Sequence, residues 1–344
     1  MKTAWRIALV VCMLLLASAA AVVWLGVRSL DEPLKLAAPV RFKVSPGASF
    51  AHVAADLAAR GVIAQPRAWV AYARLRRLAP AVKAGEYEIQ PGTTPRDLLT
   101  KMVNGQVLLH SFTIVDGWRV QDLLEAMRHN PDIKLTLPAN APNLMDKLGF
   151  PGLDPEGQFL PETYRFIAGT TDVDVLRQAH GALSKELDAA WMGRDADLPL
   201  RNSRELLIMA SIVEKESGLP QELRLIAGLY LHRLSIGMRL QADPTVIYGM
   251  GDRYDGDIRT VDLHTDGPYN TYTRTGLPPT PIALPAAAVI RATAHPEKTD
   301  AVYFVASPKG DGSHVFSATL QEHNAAVAAY LAHQRRRATE DAVR

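Results

Sequence analysis

The stretch Leu206-Leu207-Ile208-Met209-Ala210-Ser211-Ile212-Val213-Glu214-Lys215-Glu216-Ser217-Gly218-Leu219-Pro220 ends an apolar run on two carboxylates. Its spacing predicts a helix over 204–216. Asn202 with Glu205 resembles a capping box at the start, and Gly218 with Pro220 marks the stop. At roughly 100° per residue, the summed direction of the strong apolar side chains falls within about 20° of Glu216 and roughly 140° from Glu214. Glu216 is thus expected on the apolar side, with Glu214 and Lys215 facing away as supporting or surface residues. Apolar surroundings and the negative end of the helix dipole both disfavour its anion, so its pKa should be raised. A carboxylic acid held protonated near neutral pH suits general-acid chemistry. A structural glutamate paired with an arginine such as Arg224 or Arg239 is the other reading of the same residues.

Outward from this helix, residues 7–27 form an uncharged apolar stretch long enough to span a bilayer. Lys2 and Arg6 precede it, and Arg28 is soon followed by Asp31 and Glu32, which favours an N-terminus inside the cell and the remainder outside the cytoplasm. A cleaved signal peptide is the alternative, since Ala17-Ser18-Ala19 offers a small-residue site. Continuation through Val22, Val23, Trp24, Leu25 and Val27 argues for an uncleaved anchor. Cys12 is the single cysteine, so neither a disulfide framework nor a thiolate metal site is expected, and the large Val11 before it argues against lipidation. The formal net charge of +2 and the lack of a basic stripe interleaved with aromatics argue against nucleic acid as a partner.

The expected organisation is α+β. Residues 1–6 are a cytoplasmic N-terminus, 7–27 the transmembrane helix and 28–39 a tether containing Pro33 and Pro39. A strand–turn–helix pattern then repeats. Val40 to Val44 alternates, Pro46-Gly47 turns, Ser49 can cap, and Phe50, Val53, Ala54 and Leu57 follow at helical spacing. Tyr87-Glu88-Ile89, Pro91-Gly92, Thr94-Pro95 and Leu98-Leu99-Met102 restate it, and a looser copy runs from Phe112 to Met127. Such units bury their apolar faces only together, so 40–130 is read as one α+β region. Residues 131–156 read as an irregular connection with a short helix at 144–148. Residues 157–334 read as the catalytic domain, with an extended segment at 157–166, helices at 172–191, 204–216 and 221–234, an irregular stretch at 237–285, a hairpin of 302–305 with 314–316, and a helix over 319–334. Residues 335–344 read as a charged, solvated tail.

The irregular stretch carries Gln241-Ala242-Asp243-Pro244-Thr245, Tyr248-Gly249, Tyr269-Asn270-Thr271-Tyr272 and Gly276-Leu277-Pro278-Pro279. Amides, hydroxyls and aromatic faces suit a polar, ring-shaped ligand such as a sugar, and long irregular segments in compact domains are more often functional than not. No H-E-x-x-H occurs, and His232, His264, His295, His314 and His323 lack the close pairing of a zinc site. No G-x-S-x-G elbow or P-loop occurs either. Acid–base work by a carboxylate is the chemistry these residues support best.

The motifs Ala210-Ser211-Ile212-Val213-Glu214-Lys215-Glu216-Ser217, Gly237-Met238-Arg239-Leu240-Gln241-Ala242-Asp243-Pro244-Thr245-Val246-Ile247-Tyr248-Gly249, Tyr269-Asn270-Thr271-Tyr272 and Gly276-Leu277-Pro278-Pro279 resemble those of the YceG-like endolytic murein transglycosylases. The N-terminal anchor, a LysM-like reading of 40–130, and Ala294-His295-Pro296 match that family's layout. The resemblance implies cleavage of peptidoglycan between N-acetylmuramic acid and N-acetylglucosamine within nascent strands, leaving 1,6-anhydromuramoyl ends and terminating elongation. It places the catalytic glutamate at the second position of Glu-Lys-Glu, Glu216, with Ser217 beside it to orient the acid.

Glu216 would protonate the glycosidic oxygen through an oxocarbenium-like state, then accept the proton of the muramoyl C6 hydroxyl as it attacks C1. This scheme needs no metal or cofactor. Gln241, Asp243, Thr245, Tyr248, Asn270 and Tyr272 are assigned to substrate binding or site support. Glu162 is a further candidate cleft residue whose plainer reading is a surface glutamate. The resemblance also implies a single-pass protein of the cell inner membrane with a periplasmic catalytic domain, working beside penicillin-binding proteins. Two other functions stay open: a non-catalytic peptidoglycan-binding scaffold, and a two-carboxylate muramidase with Asp243 as second carboxylate.

Overall fold

The computed structural model describes residues 2–216 and 218–343. Helix α1 (Lys2–Arg28) has a mean hydropathy of 2.5 over Leu9–Arg28 and is the one helix among the described residues long and apolar enough to cross a membrane. That property fits a span or a signal sequence. The chain divides into two compact units, one made of residues up to His110 with Arg165–Gly169, the other of Ser111–Tyr164 with the chain from Thr170 onward.

In the first unit, strand β1 (Val40–Val44) is followed by helices α2 (Phe50–Ala59) and α3 (Pro66–Leu75), strand β2 (Gly85–Ile89), helix α4 (Pro95–Asn104) and the start of strand β3 (Leu109–Thr113). β1 and β2 pair antiparallel, with Val40 opposite Ile89 and Phe42 opposite Tyr87. The period-two alternation turns Phe42, Val44, Tyr87 and Ile89 into the core beside Phe50, Leu57, Leu98 and Met102. Ser49 caps α2 and the Thr94–Asp97 capping box starts α4, as the turn residues lead one to expect. Helix α3 is absent from the sequence reading. Pro66 at its first turn is the start signal, and its Trp69 is fully buried, donating Nε1–H to the Pro95 carbonyl at 2.8 Å.

The second unit contains the rest of β3, then α5 (Val120–Arg128) and α6 (Leu144–Leu148), so the third copy of the repeat lies here. It continues through the start of β4 (Thr163–Ile167), α7 (Asp172–Gly193), α8 (Ser203–Glu216), α9 (Leu223–Ser235), α10 (Asp243–Met250), α11 (Thr260–His264) and α12 (Ala287–Ala294). Strands β5 (Tyr303–Ala306) and β6 (His314–Ser317) and helix α13 (Leu320–Val343) close it. β5 pairs with β6 antiparallel, Phe304 opposite Phe316.

α8 is the axis of this unit. Asn202 Oδ1 accepts from Glu205 N at 3.0 Å, while Glu205 reaches back to Arg201 N at 2.7 Å, one residue earlier than a simple capping box requires. Residues 206–213 are buried on every side because α7, α9, α10 and α12 all pack against α8. Gly228 permits one of the closest approaches: a Cβ there would stand 2.0 Å from the Glu297 carbonyl oxygen. α13 extends to Val343, beyond the predicted end at 334, and takes most of the expected solvated tail into a helix.

Candidate active site

α8 delivers Glu216 at its last residue, and the adjoining helices supply what surrounds it. Tyr230, two turns into α9, donates its hydroxyl to Glu216 Oε1 at 2.6 Å. Arg233, one turn further, is buried and donates to the carbonyls of Val302 and Leu240, both at 2.5 Å. A cation is thereby fixed near Glu216 by backbone contacts. Glu216, Arg233, Asp243, Tyr272, Tyr303 and His323 line a cleft of about 480 Å³, together with Gln241 and Asn324.

Burial pushes the Glu216 carboxyl up to about 7, and the neighbouring Asp243 carboxylate adds to the rise. The Tyr230 hydrogen bond and the Arg233 charge act against it. The expected elevation is present, with desolvation as its leading cause. Neither arginine proposed for a structural pair reaches this group: Arg224 Nε donates to the His295 carbonyl and Arg239 to the Tyr272 carbonyl. Burial raises the Tyr230 hydroxyl well above its ordinary range and lowers Arg233.

The residues from the irregular stretch separate into three groups. Asp243 and Gln241 reach the cleft at the start of α10, and Tyr272 donates to Asp243 Oδ1 at 2.5 Å. Gln241 has φ of +50°, a left-handed conformation uncommon for a non-glycine residue. The backbone bond from its N–H to the Thr271 carbonyl at 3.1 Å and that of Ala242 N–H to Thr271 Oγ1 at 3.0 Å hold it there. Thr245 and Asn270 are buried supports. Thr245 Oγ1 bonds the Ala242 carbonyl and Thr271 Oγ1, and Asn270 Nδ2 donates to the carbonyls of Asp262, Leu263 and Thr265 while its Oδ1 accepts from Tyr272 N. Tyr248 lines a separate cavity of about 240 Å³ beside Tyr269. Glu162 is exposed and outside both cavities, and Ser217 lies outside the described residues.

Glu214 is half-buried rather than a surface residue. Its Oε2 accepts from Ala286 N at 2.8 Å, at the N-cap of α12, and burial pushes it up to about 7. Of the two expectations for it, supporting or surface residue, this contact fits the first. Sequence reasoning also missed Tyr230, Arg233, Tyr303, His323 and Asn324. An arginine within the apolar run of α9, one turn after a tyrosine, is the sole signal that pointed there.

The YceG-like family matches residues 42–329 of this chain. The chain belongs to that family. Among similar proteins, an endolytic murein transglycosylase of Bacillus subtilis is 29% identical over 329 residues, covering 88% of this chain and 89% of its own length. One of Streptococcus pneumoniae is 26% identical over 322 residues, covering 83% of this chain and 57% of its own. The crystal structure of a yceG-like protein from Listeria monocytogenes aligns with a TM-score of 0.48 at 25% identity, over 83% of this chain and 98% of that one. Membership, with relatives of this name, supports a murein transglycosylase function; the bond cut and the residues that cut it are matters for the site itself.

Proposed function

We propose that this chain is an endolytic lytic transglycosylase that cleaves between N-acetylmuramic acid and N-acetylglucosamine within peptidoglycan strands, with Glu216 as acid and then base. The observation that carries the reading is a carboxyl near pH 7, bonded on one oxygen by Tyr230, on the wall of a cleft shared with Asp243 and Tyr272. Because Oε1 accepts from Tyr230, the acid proton belongs on Oε2. That proton passes to the glycosidic oxygen as the C1–O bond breaks, and positive charge develops at C1 and the ring oxygen. The Glu216 carboxylate left behind, with the Asp243 carboxylate in the same cleft, stabilises that charge. The muramoyl C6 hydroxyl then attacks C1 and returns its proton to Glu216, so the anhydro end forms without consuming water and the acid is regenerated.

In this reading α1 is an uncleaved anchor in the cell inner membrane, the catalytic unit is periplasmic, and residues 40–130 are a LysM-like region. Cleavage beside glycan-synthesising penicillin-binding proteins would terminate strand elongation. Glu216→Gln in the full chain, incubated with purified sacculi, tests the assignment. Loss of muropeptide release is expected, and unchanged release would overturn it in favour of a different acid. Asp243 keeps a two-carboxylate muramidase as the second reading, because it shares the cleft. Mass spectrometry separates the two, since reducing ends are heavier than anhydro ends by one water.

A further inference from the structure

The near-neutral chain hides a local charge excess. Residues 57–85 contain Arg60, Arg67, Arg74, Arg76, Arg77 and Lys83 and not one acid. Helix α3 and the two residues after it gather four of these. On its wheel Arg67, Ala71, Arg74 and Leu75 share one face, opposite the buried Trp69 and Ala73. Arg76 and Arg77 continue the charge past the helix end. All four arginines are exposed, no carboxylate pairs with them among the described residues, and Leu75 between them is 83% exposed. Asp31, on the tether, is held by Arg96 at 2.6 Å. Glu32, on the same tether, is exposed.

Two observations say what this face meets. The first is position. A Cβ placed on Gly26 would stand 3.4 Å from the Cβ of Ala68, so the last turn of α1 touches the first turn of α3. With α1 spanning a bilayer, that contact lies where apolar helix gives way to headgroups. The second is a backbone conformation chosen against preference. α3 ends in a Schellman turn: Leu78 N–H bonds the Ala73 carbonyl at 2.8 Å and Arg77 N–H the Arg74 carbonyl at 3.0 Å. The residue between, Arg77, sits at φ +57°, where glycine is the unstrained choice. A charged side chain stands at this turn at the expense of strain, which points to work for the charge.

We propose that α3 seats its Arg67, Arg74, Leu75, Arg76 and Arg77 on an anionic phospholipid surface beside the emerging end of α1, fixing the first unit against the membrane. The guanidinium groups bond headgroup phosphates, their stems lie along the interface and Leu75 enters the acyl boundary. The proposal rests on the reading of α1 as a retained anchor.

The test uses the full chain with Cys12→Ser and Leu75→Cys, carrying an environment-sensitive fluorophore at position 75, in vesicles of phosphatidylcholine with or without phosphatidylglycerol. A blue-shifted emission, quenched by lipid-borne quenchers in the anionic vesicles alone and reversed by high salt, is expected. Replacing Arg74 and Arg76 by Gln should weaken that contact by roughly fivefold per arginine. Arg77→Gly should weaken it likewise while raising the thermal midpoint in detergent, a pairing that mere damage to the fold does not produce. Emission at position 75 that ignores lipid charge and these substitutions overturns the docking, including the case of a protein partner on this face. Flotation after carbonate washing separates the two premises: a chain that washes off overturns the anchor reading and the docking with it, whereas one that floats with position 75 still in water overturns the docking alone.

Discussion

Glu216 with Tyr230 and Glu156 with Tyr248 are the same chemical pair in two regions of the second unit: a tyrosine hydroxyl donating to a glutamate that burial pushes up to about 7. Their surroundings differ in one respect. Both oxygens of Glu156 are occupied, Oε1 by Val120 N–H at 3.1 Å and Oε2 by Tyr248 at 3.1 Å, with the Arg119 guanidinium lying over the Tyr248 ring. Among the described residues, Tyr230 is the one hydrogen-bond donor to Glu216, and that carboxyl borders the cleft. Glu214 is a third carboxyl near 7; its Oε2 accepts from Ala286 N, and it lines neither the cleft nor the Tyr248 cavity. An elevated pKa marks burial, and burial serves structure as readily as chemistry. What separates the pairs is an oxygen left over for a ligand.

The sharpest way to break this comparison is to neutralise each carboxyl in turn. Glu216→Gln keeps the Tyr230 bond to the remaining carbonyl oxygen and removes the proton donor. We expect glycan cleavage to fall by roughly three orders of magnitude. Glu156→Gln should leave cleavage within about twofold, because a closed pair has no acid to offer. Equal losses in both variants, measured as muropeptide release by folded protein, would mean that the open oxygen is not the distinction. For the parent chain, kcat/KM should fall as pH rises through about 7, since an acid deprotonated above that value has no proton to give.

Tyr230→Phe tests the remaining contact. The hydroxyl stabilises the charged form of Glu216, so its removal pushes the carboxyl higher still and moves the alkaline limb of the pH profile upward. The same loss leaves the carboxyl less well oriented, with a drop of about tenfold in kcat at its optimum. An unmoved alkaline limb would argue that another group sets it.

These residues also show what can be read in a linear chain. The strands β1 and β2, taken singly, the capped helices α2 and α4 and the buried α8 follow from spacing and turn residues, because each is decided within a dozen positions. Glu216 stands out the same way, as an acid ending an apolar run. Tyr230 and Arg233 do not, because their meaning comes from a second helix folding back on the first. Asn270 illustrates the converse. Its motif reads as ligand-binding, yet three backbone carbonyls consume its amide. Spacing names the residue types a site needs and is silent on which hydrogen-bonding atoms stay unspent. α3 is hidden for another reason: Arg67, Arg74 and the outward Leu75 reduce its apolar periodicity to Trp69, Val70 and Ala73.

The smallest effect belongs to the closed pair, and it is one of stability. Glu156 has an ordinary value near 4.5 and a folded value of about 7. Between these the folded chain keeps a proton that the unfolded chain has lost, so the contribution of this group to stability is full below about 4.5 and is lost as pH rises through 7. Gln does not titrate. The thermal midpoint of Glu156→Gln should therefore gain on the parent from pH 5 to about pH 7 and level off above it, by a few degrees in total. Using the difference between two otherwise identical chains cancels Glu214 and Glu216, which titrate in the same window. If the gain were absent, the Val120 and Tyr248 bonds would be holding Glu156 as a buried anion. Its likeness to Glu216 would then end at the tyrosine.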